Sequence, residues 1–323
     1  MKISIAMATY NGANFVSEQL ESFRRQTRLP DELIITDDCS TDGTIDILNK
    51  FKDSAPFKVK IYINEANLGY TQNFNKSLEL CTGDLIFLSD QDDVWFPTKI
   101  EHMLNLTVQF PDKDLFMVNA ELTDVNLKKS GLTKQGQIRD LGMKDSTFVM
   151  GCCIAVKKRY IDLILPIPKN FLGHDDWIVN IADMLNIKYI DSSIQQYYRI
   201  HGNNTSTFIA NTLVKMVKPK ITLIEKFSMR LHFSKISFFN NFILKKRYFL
   251  FPLERLSKET DYSSAKDALV LVQNSIKIYE QRLLVLKSKN IVYRVFNALQ
   301  LYFNGGYNAA NGFKSCVSDI FRS

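Results

Sequence analysis

The chain of 323 residues is long enough for two domains, or for one large domain with an appendage. Its 46% hydrophobic and 23% charged residues are ordinary for a soluble globular protein, and the absence of any run of about 18 uncharged apolar residues argues against a transmembrane helix. The net charge of +7 is uneven, because residues 210–323 hold 19 Lys and Arg against 7 Asp and Glu, which predicts two surfaces with different partners.

The cysteines and the first residues indicate the compartment. Five cysteines are an odd number, two of them are adjacent, and none has CxxC spacing. They therefore favour reduced thiols in a cytosolic protein over a disulfide framework. The chain begins with a short strand-like run that lacks the long apolar core of a signal peptide. We expect a cytoplasmic protein, with peripheral contact at the inner face of the cell membrane as an option.

Strand and helix patterns alternate in the first third of the chain. Apolar runs predict strands over residues 2–8, 32–36, 59–63 and 84–88, and helical periodicity predicts helices over 18–26, 44–51 and 73–81. Turn pairs such as Asn11-Gly12 and Asp42-Gly43 lie at the joins. Strands separated by such helices predict a Rossmann-like α/β fold with a mainly parallel central sheet and right-handed crossovers.

The pattern is less regular afterwards. We predict a helix over 97–110, a strand over 115–118, a polar loop over 126–147 and a strand over 148–156. A helix over 177–185 and strands over 188–190 and 196–199 follow. Beyond residue 208 the chain is basic, aromatic and helical. We therefore place a domain boundary near residue 210, between an α/β domain over 1–210 and a mostly helical domain over 211–323.

Three acids follow an apolar strand directly. Asp90, Asp92 and Asp93 come after the run 85–88, and open α/β sheets bind ligands at the carboxyl ends of their strands. Carboxylates this close repel one another unless a cation lies among them, and oxygen ligands suit Mg²⁺ or Mn²⁺. The alternative is a solvated acidic turn.

Polar residues also end two other predicted strands. Thr9, Tyr10 and Asn11 follow the first, and Asp37 and Asp38 follow the second. Adjacent strand ends with a turn and an acid form a natural nucleotide pocket, although the two acids could instead cap the next helix. An aspartyl-phosphate phosphatase is excluded by a serine where its nucleophile belongs, and a sugar nucleotidyltransferase by the missing glycine-rich phosphate loop.

Six short motifs occur in series over residues 1–208. They are Ala8-Thr9-Tyr10-Asn11-Gly12, the stretch 37–44, Asn67-Leu68-Gly69-Tyr70 with Asn73, Ser89-Asp90-Gln91-Asp92-Asp93, Gly173-His174-Asp175-Asp176-Trp177 and the stretch 198–204. In order and spacing the chain resembles the family 2 glycosyltransferases, which are inverting, metal-dependent enzymes of the GT-A fold. The last two motifs and the glutamine in the acidic motif are most similar to the bacterial rhamnosyltransferase-type branch.

The resemblance implies donor-binding residues. Asp38 matches the acid that contacts the nucleotide base, and Thr9 and Tyr10 match residues that line the base pocket. Asp90 matches the residue that faces the ribose. The remaining motif positions that imply donor contacts are Asn11, Asn67, Gly69 and Asn73.

The resemblance also implies a metal site and a base. Asp92 and His201 match ligands of Mg²⁺ or Mn²⁺, although His201 could instead be a buried histidine beside Tyr197 and Tyr198. Asp175 matches the general base that accepts the acceptor's hydroxyl proton. Asp176 is the alternative base, because this chain has an acid where its relatives often have an aromatic residue, and the two acids could also simply cap a helix.

The implied reaction transfers a sugar from a nucleotide diphosphate to a saccharide, with a lipid-linked saccharide favoured. L-Rhamnose from dTDP-rhamnose is the donor that the branch suggests. Two alternatives stay open: a UDP-hexose donor, and a non-catalytic nucleotide-sugar-binding subunit of a polysaccharide assembly complex.

The basic segment over residues 226–251 is rich in phenylalanine. Such a helix can lie on an anionic membrane, or it can belong to a helical domain that packs internally or forms a homo-oligomer. Nucleic-acid binding is disfavoured because no recognised binding module is present.

Overall fold

The computed structural model describes residues 1–202, 204, 211–217 and 235–321. Contacts divide the chain into two compact units, Met1–Pro219 and Lys220–Ser323. The predicted boundary near residue 210 lies outside the described residues.

The described part of the first unit is built on one mixed sheet of nine strands. In the order β3-β2-β1-β4-β8-β6-β9-β5, with β7 paired to β6, the first four strands are parallel and β6 is parallel to β9. The other pairs are antiparallel. The strands are β1 Ile3–Thr9, β2 Glu32–Asp37, β3 Lys58–Ile63, β4 Leu85–Ser89, β5 Val94–Trp95, β6 Leu115–Thr123, β7 Lys129–Thr133, β8 Ile154–Lys157 and β9 Lys188–Arg199.

Helices connect and cover these strands. The core of the unit packs apolar residues of β1, β2 and β4 against one face of the helices, for example Phe87 against the cluster that contains Leu20 and Phe23. Each fully buried side chain of this size stabilises the fold by about 1.5–3 kcal/mol. The helices are α1 Val16–Arg24, α2 Thr44–Ser54, α3 Tyr70–Leu80, α4 Lys99–Gln109, α5 Lys134–Asp140, α6 Lys158–Ile164 and α7 His174–Met184.

The register of the parallel strands brings three strand ends together. Thr9 at the end of β1 lies opposite Asp37 at the end of β2. On its other side β1 pairs Met7 with Ser89, the last residue of β4. The residues that follow β1, β2 and β4 therefore emerge at one edge of the sheet, where the sequence predicted a ligand site.

The structure departs from the predicted elements in the less regular middle of the chain. The predicted loop over 126–147 contains β7 and α5, and the strand predicted to begin at residue 148 begins at Ile154. The two strands predicted near 188–190 and 196–199 form one strand, β9, whose pairing to β6 is irregular. Both β7 and α5 are short and polar, and α5 buries Lys134, Gln135 and Gln137, so hydrophobic periodicity does not reveal them.

The described part of the second unit is helical. Its small core contains Val285, Leu301, Tyr307, Cys316 and Ile320. In the described parts of the chain no helix is both long and apolar enough to span a membrane. The helices are α8 Lys235–Tyr248, α9 Leu250–Leu256, α10 Ser264–Lys287, α11 Ile291–Phe303 and α12 Phe313–Phe321.

Candidate active site

A pocket of about 1120 Å³ opens at the shared edge of β1, β2 and β4. Its walls come from the three strand ends, the start of α3, the start of α7 and the segment after β9. Eleven residues that the sequence singles out all line it: Thr9, Tyr10, Asn11, Asp38, Asn67, Gly69, Asn73, Asp90, Asp92, Asp175 and His201. The motifs therefore meet in space, although Thr9 and His201 are 192 positions apart in the chain.

Asp38 holds one wall of the pocket in place. Its carboxylate accepts hydrogen bonds from the backbone N–H of Leu68 at 2.7 Å, from the N–H of Gly69 at 2.8 Å and from the Asn64 amide at 2.8 Å. A carboxylate has about four acceptor sites, so one remains for a ligand. Asp38 thus fixes the loop that precedes α3, a role beyond that of a ligand contact.

We expect Asp38→Asn to lower the free energy of unfolding by about 1–3 kcal/mol, because the amide nitrogen would face a backbone N–H donor. Urea denaturation measures this change, and Asp53→Asn is the control because Asp53 is exposed on α2. Equal urea midpoints for the two variants would contradict the role of Asp38 in fixing the loop.

Asn73 and Asn67 also have structural partners. The buried Asn73 amide donates to the carbonyls of Thr36 at 2.9 Å and Thr9 at 3.3 Å, so it ties α3 to the ends of β1 and β2. Asn67 donates to the carbonyl of Asp38. Gly69 has φ 77°, a backbone conformation that favours glycine. These residues give the pocket its shape.

The turn after β1 is held by Gln91, which the sequence did not single out as a site residue. The Gln91 amide accepts from the backbone N–H of Tyr10 and donates to the Tyr10 carbonyl, both at 2.9 Å. Asn11, which has φ 44°, accepts from the backbone N–H of Thr41 at 2.8 Å. The exposed Tyr10 ring therefore stands on a fixed backbone at the pocket mouth.

The acidic cluster is electrostatically strained. Burial, together with the charges of Asp92, Asp93 and Asp175, raises the pKa of Asp90 well above its usual value. Burial and the Asp92 charge raise the pKa of Asp93 to about 7. Because a nearby cation would favour the charged forms of both groups, the cluster has the electrostatics of a cation site.

Asp92 and His201 form a close pair at the pocket wall. The His201 Nε2 atom lies 2.8 Å from Asp92 Oδ2, and the imidazole stacks on Phe15 with ring centroids 4.7 Å apart. The buried Arg199 donates to the backbone carbonyl of Asp92 at 2.9 Å. The two predicted metal ligands therefore present their ligand atoms side by side.

A second set of ligand atoms lies close by. Within the described residues, one oxygen each of Asp90 and Asp93 and the sulfur of Cys152 lie within 4.8 Å of one another. Burial raises the pKa of the Cys152 thiol well above its usual value, so the neutral thiol is favoured in the absence of an ion. The sequence gave no signal for Cys152, because it is 59 positions from Asp93.

Two buried lysines lie behind and beside the acids. Lys99 donates to the backbone carbonyl of Cys152 at 2.7 Å and lies 3.8 Å above the Trp95 ring. Lys134 lines the pocket at the start of α5. Burial lowers the pKa of each lysine to about 8. Neither was predicted, since a lysine in a helix or in a polar segment normally indicates a solvated face.

The first turn of α7 carries the acids at the far side of the pocket. Asp176 accepts from the Asn180 side chain at 2.7 Å, within its own helix. After burial, Asp92 and Asp93, the Asp175 charge also contributes to the raised pKa of Asp90. His174 is buried, stacks on Phe74 at 3.8 Å and has a lowered pKa because of burial. Asp175 accepts from the backbone N–H of Asp176 at 2.9 Å, and both acids line the pocket.

The chain is similar to known sugar-transferring proteins. Residues 4–164 match the family model described as glycosyl transferase family 2. An uncharacterized glycosyltransferase of Nostoc sp. is 29% identical over 216 residues, which cover 63% of this chain and 66% of that protein. The dTDP-rhamnosyl transferase RfbG of Shigella flexneri is 29% identical over 210 residues, which cover 61% of this chain and 72% of that protein.

Another relative is similar over a shorter part. The glucosyltransferase WfaP of Escherichia coli, named for UDP-Glc and α-D-GlcNAc-diphosphoundecaprenol, is 38% identical over 103 residues, 32% of this chain and 40% of that protein. Among solved structures, TarS 1–349 of S. aureus in complex with UDP matches with a TM-score of 0.54 at 16% identity. That match covers 88% of this chain and 78% of the TarS chain.

Proposed function

Given that this chain belongs to glycosyl transferase family 2 and is a glycosyltransferase with the GT-A fold, we propose that it transfers L-rhamnose from dTDP-rhamnose to a saccharide hydroxyl with inversion. The acceptor that we propose is a lipid-linked saccharide in the synthesis of a bacterial surface polysaccharide. The single observation that carries the proposed site is that all eleven motif residues line one pocket.

The nucleotide is proposed to bind between the ends of β1 and β2. Asp38 retains a free acceptor site for an N–H of the base, and the exposed Tyr10 ring offers a stacking face at the pocket mouth. Asp90, at the end of β4, is proposed to accept from the free 3′-hydroxyl of the donor's deoxyribose. Asn11, Asn67, Gly69 and Asn73 shape this half of the pocket through their backbone and amide contacts.

The residues fit a divalent cation of the Mg²⁺ or Mn²⁺ type. Asp92 offers a carboxylate oxygen, and His201 offers Nε2 at 2.8 Å from it, which are ligand types that suit Mn²⁺ and, for the oxygen, Mg²⁺. The pKa values of Asp90 and Asp93 are raised. A bound cation would stabilise their charged forms, so the raised values fit a cation site. When bound, such an ion stabilises the negative charge on the departing nucleotide diphosphate.

Asp175 is proposed to act as the general base. Its carboxylate accepts the proton of the acceptor hydroxyl while that oxygen forms a bond to the anomeric carbon, and the bond from this carbon to the diphosphate oxygen breaks. The attacking oxygen and the leaving group lie on opposite sides of the anomeric carbon, so the configuration inverts. Asp175 is preferred to Asp176 because the motif resemblance matches the base to the first acid. Each carboxylate accepts one hydrogen bond, Asp175 from the backbone N–H of Asp176 and Asp176 from Asn180.

A UDP-hexose donor is the second candidate. The match to WfaP, whose name specifies UDP-Glc, is shorter but has a higher identity than the match to RfbG, 38% against 29%. The pocket residues that face the base would serve UDP and dTDP alike, because both bases present the same N–H and carbonyl groups at their pairing edge. The choice therefore depends on the transferred sugar and on the 2′ position of the nucleotide, where UDP has a hydroxyl and dTDP has none.

Calorimetric titration with dTDP, UDP, dTDP-rhamnose and UDP-glucose, each with Mn²⁺ and with EDTA, tests the proposal. We expect binding that needs the metal and is at least tenfold tighter for dTDP-rhamnose than for UDP-glucose. Tighter binding of the UDP ligands would contradict the dTDP-rhamnose donor and favour a UDP-hexose donor. Binding without turnover on any saccharide acceptor would favour a non-catalytic subunit, and no nucleotide binding at all would overturn the site.

A further inference from the structure

The end of the second unit is basic and almost free of acids. Residues 281–321 contain five Lys and Arg and one acid, Asp319. Asp319 is fully buried and pairs with Arg282 at 2.8 Å and Lys235 at 3.0 Å. Its charge is thus neutralised inside the unit. The exposed charges of this region are those of Lys287, Lys289 and Lys314, so its surface is positive.

Helix α11 presents apolar side chains to solvent along one side. Val292, Phe296 and Phe303 are 72%, 67% and 80% exposed. They are spaced by four and seven residues, which places them on one face of the helix. The opposite face buries Ala298 and Leu301 in the core of the unit. The helix is therefore apolar on its packed side and on its outer side.

Helix α12 continues this surface. Phe313 and Phe321 are 56% and 71% exposed and, with Val317 between them, recur every four residues. Tyr302 links the two helices, because its ring contacts Phe303 and Phe313 at centroid distances of 5.5 Å. We call the resulting surface the aromatic face, and it consists of Val292, Tyr293, Phe296, Phe303, Phe313, Val317 and Phe321.

The aromatic face is about as large as the largest apolar patch of a typical monomer, which is often a functional surface. At roughly 200 Å² per phenylalanine ring, its four phenylalanines expose on the order of 500 Å². Contiguous apolar patches of this size on a folded chain mark binding surfaces. The aromatic face therefore fits a partner with an apolar surface and negative charges that can contact the neighbouring lysines.

Not all aromatic residues of the segment 226–251 are exposed enough to form such a binding surface. Phe239 and Phe249 are buried, and Phe242 stacks on Tyr279 of α10 at 4.1 Å. Of that segment, residues 226–234 lie outside the described residues. Phe251 is 60% exposed, but its neighbours Pro252 and Leu253 are buried. Phe238 is 45% exposed. Among the described residues, the larger exposed aromatic surface lies on α11 and α12.

We propose that the aromatic face docks on the surface of an anionic lipid bilayer. The phenylalanines enter the boundary between headgroups and acyl chains, and Lys287, Lys289 and Lys314 contact the anionic headgroups. A second copy of the chain fits the same face less well, because a symmetric contact would bring these lysines together without acids to oppose them. The docking is independent of donor binding, so it goes beyond the proposed function.

Co-sedimentation of the full chain with vesicles, in the absence of nucleotide, tests the docking. We expect partitioning to vesicles that contain phosphatidylglycerol to be at least tenfold stronger than to phosphatidylcholine vesicles, and to weaken between 0.1 M and 0.5 M salt, as expected for screened charges. Phe296→Glu combined with Phe303→Glu should reduce it at least tenfold. Val108→Glu is the matched control, since Val108 is 78% exposed on α4 of the first unit.

Two outcomes would overturn the docking. One is equal vesicle binding by the wild type and the double variant, with both folded by circular dichroism. The other is no vesicle binding together with a dimer that the double variant loses in analytical ultracentrifugation, which would assign the face to a second copy. Replacing Lys287 and Lys289 by glutamine isolates the electrostatic contribution to vesicle binding, because both lysines are exposed and no buried contact is lost. This double variant should bind the anionic vesicles more weakly, with binding to phosphatidylcholine vesicles unchanged.

Discussion

Asp175→Asn is expected to lower kcat for sugar transfer by about 10²–10⁴-fold, the usual contribution of a positioned general base. The asparagine amide has nearly the same shape as the carboxylate but cannot accept the acceptor's proton. The dissociation constant of the donor with Mn²⁺ should stay within about threefold, because no donor-binding role is assigned to Asp175. Steady-state kinetics with the donor identified by titration and a saccharide acceptor, together with calorimetry, separate the two effects.

Asp176→Asn is the matched control for this prediction. Asp176 is adjacent in the sequence, lies on the same helix turn and lines the same pocket, but its carboxylate accepts a hydrogen bond from Asn180. We expect its kcat to fall less than tenfold. A greater loss in Asp176→Asn than in Asp175→Asn would exchange the assignments of the two acids. Full activity in both variants would show that neither acid of α7 is the general base.

The family and the GT-A fold predicted from the sequence are confirmed, because they depend on local patterns. Alternating apolar runs and helical periodicity identify β1 to β4 with α1 to α3, and the parallel register then fixes which residues share an edge. Thr9, Asp38 and Asp90 could be expected to lie together for this reason alone. Residues that meet because strands end side by side are accessible to sequence reasoning.

Other features of the site depend on contacts that no local pattern encodes. Lys134 enters the pocket from α5, a short polar helix in a segment predicted to be a loop. Cys152 reaches Asp90 and Asp93 because a turn of 3-10 helix over 151–153 precedes β8. Gln91 acts on the backbone of Tyr10, 81 positions away. Only the tertiary structure shows these pairings.

The three acids also share one sequence motif but differ in their structural surroundings. The sequence identifies Asp90, Asp92 and Asp93 as one motif, yet the structure gives them different surroundings. Asp92 pairs with His201, whereas Asp93 is buried and accepts from Gln196 at 2.9 Å. Their spacing along the chain could not distinguish a pocket-facing acid from a buried one. The choice of metal ligands therefore depends on geometry.

Asp92→Asn is expected to reduce transfer at least 10³-fold and also to weaken Mn²⁺-dependent donor binding at least tenfold. The substitution removes one negative charge from the proposed cation site and alters the ligand paired with His201 at 2.8 Å. The backbone contact of residue 92 with Arg199 does not use the side chain and should persist. The combined loss of turnover and donor affinity distinguishes this variant from Asp175→Asn, which should lose turnover alone.

Calorimetry with Mn²⁺ and with EDTA measures the affinity part, and Asp112→Asn controls for the loss of one carboxylate, since the Asp112 side chain is 68% exposed beside Lys113. If EDTA abolishes donor binding by the wild type while Asp92→Asn binds donor normally with Mn²⁺, Asp92 is not a ligand. The cluster of Asp90, Asp93 and Cys152 is then the remaining candidate among the described residues. In that case Cys152→Ser should weaken Mn²⁺-dependent binding. The loss of Mn²⁺-dependent binding in one variant and not in the other assigns the ion to one set of ligands.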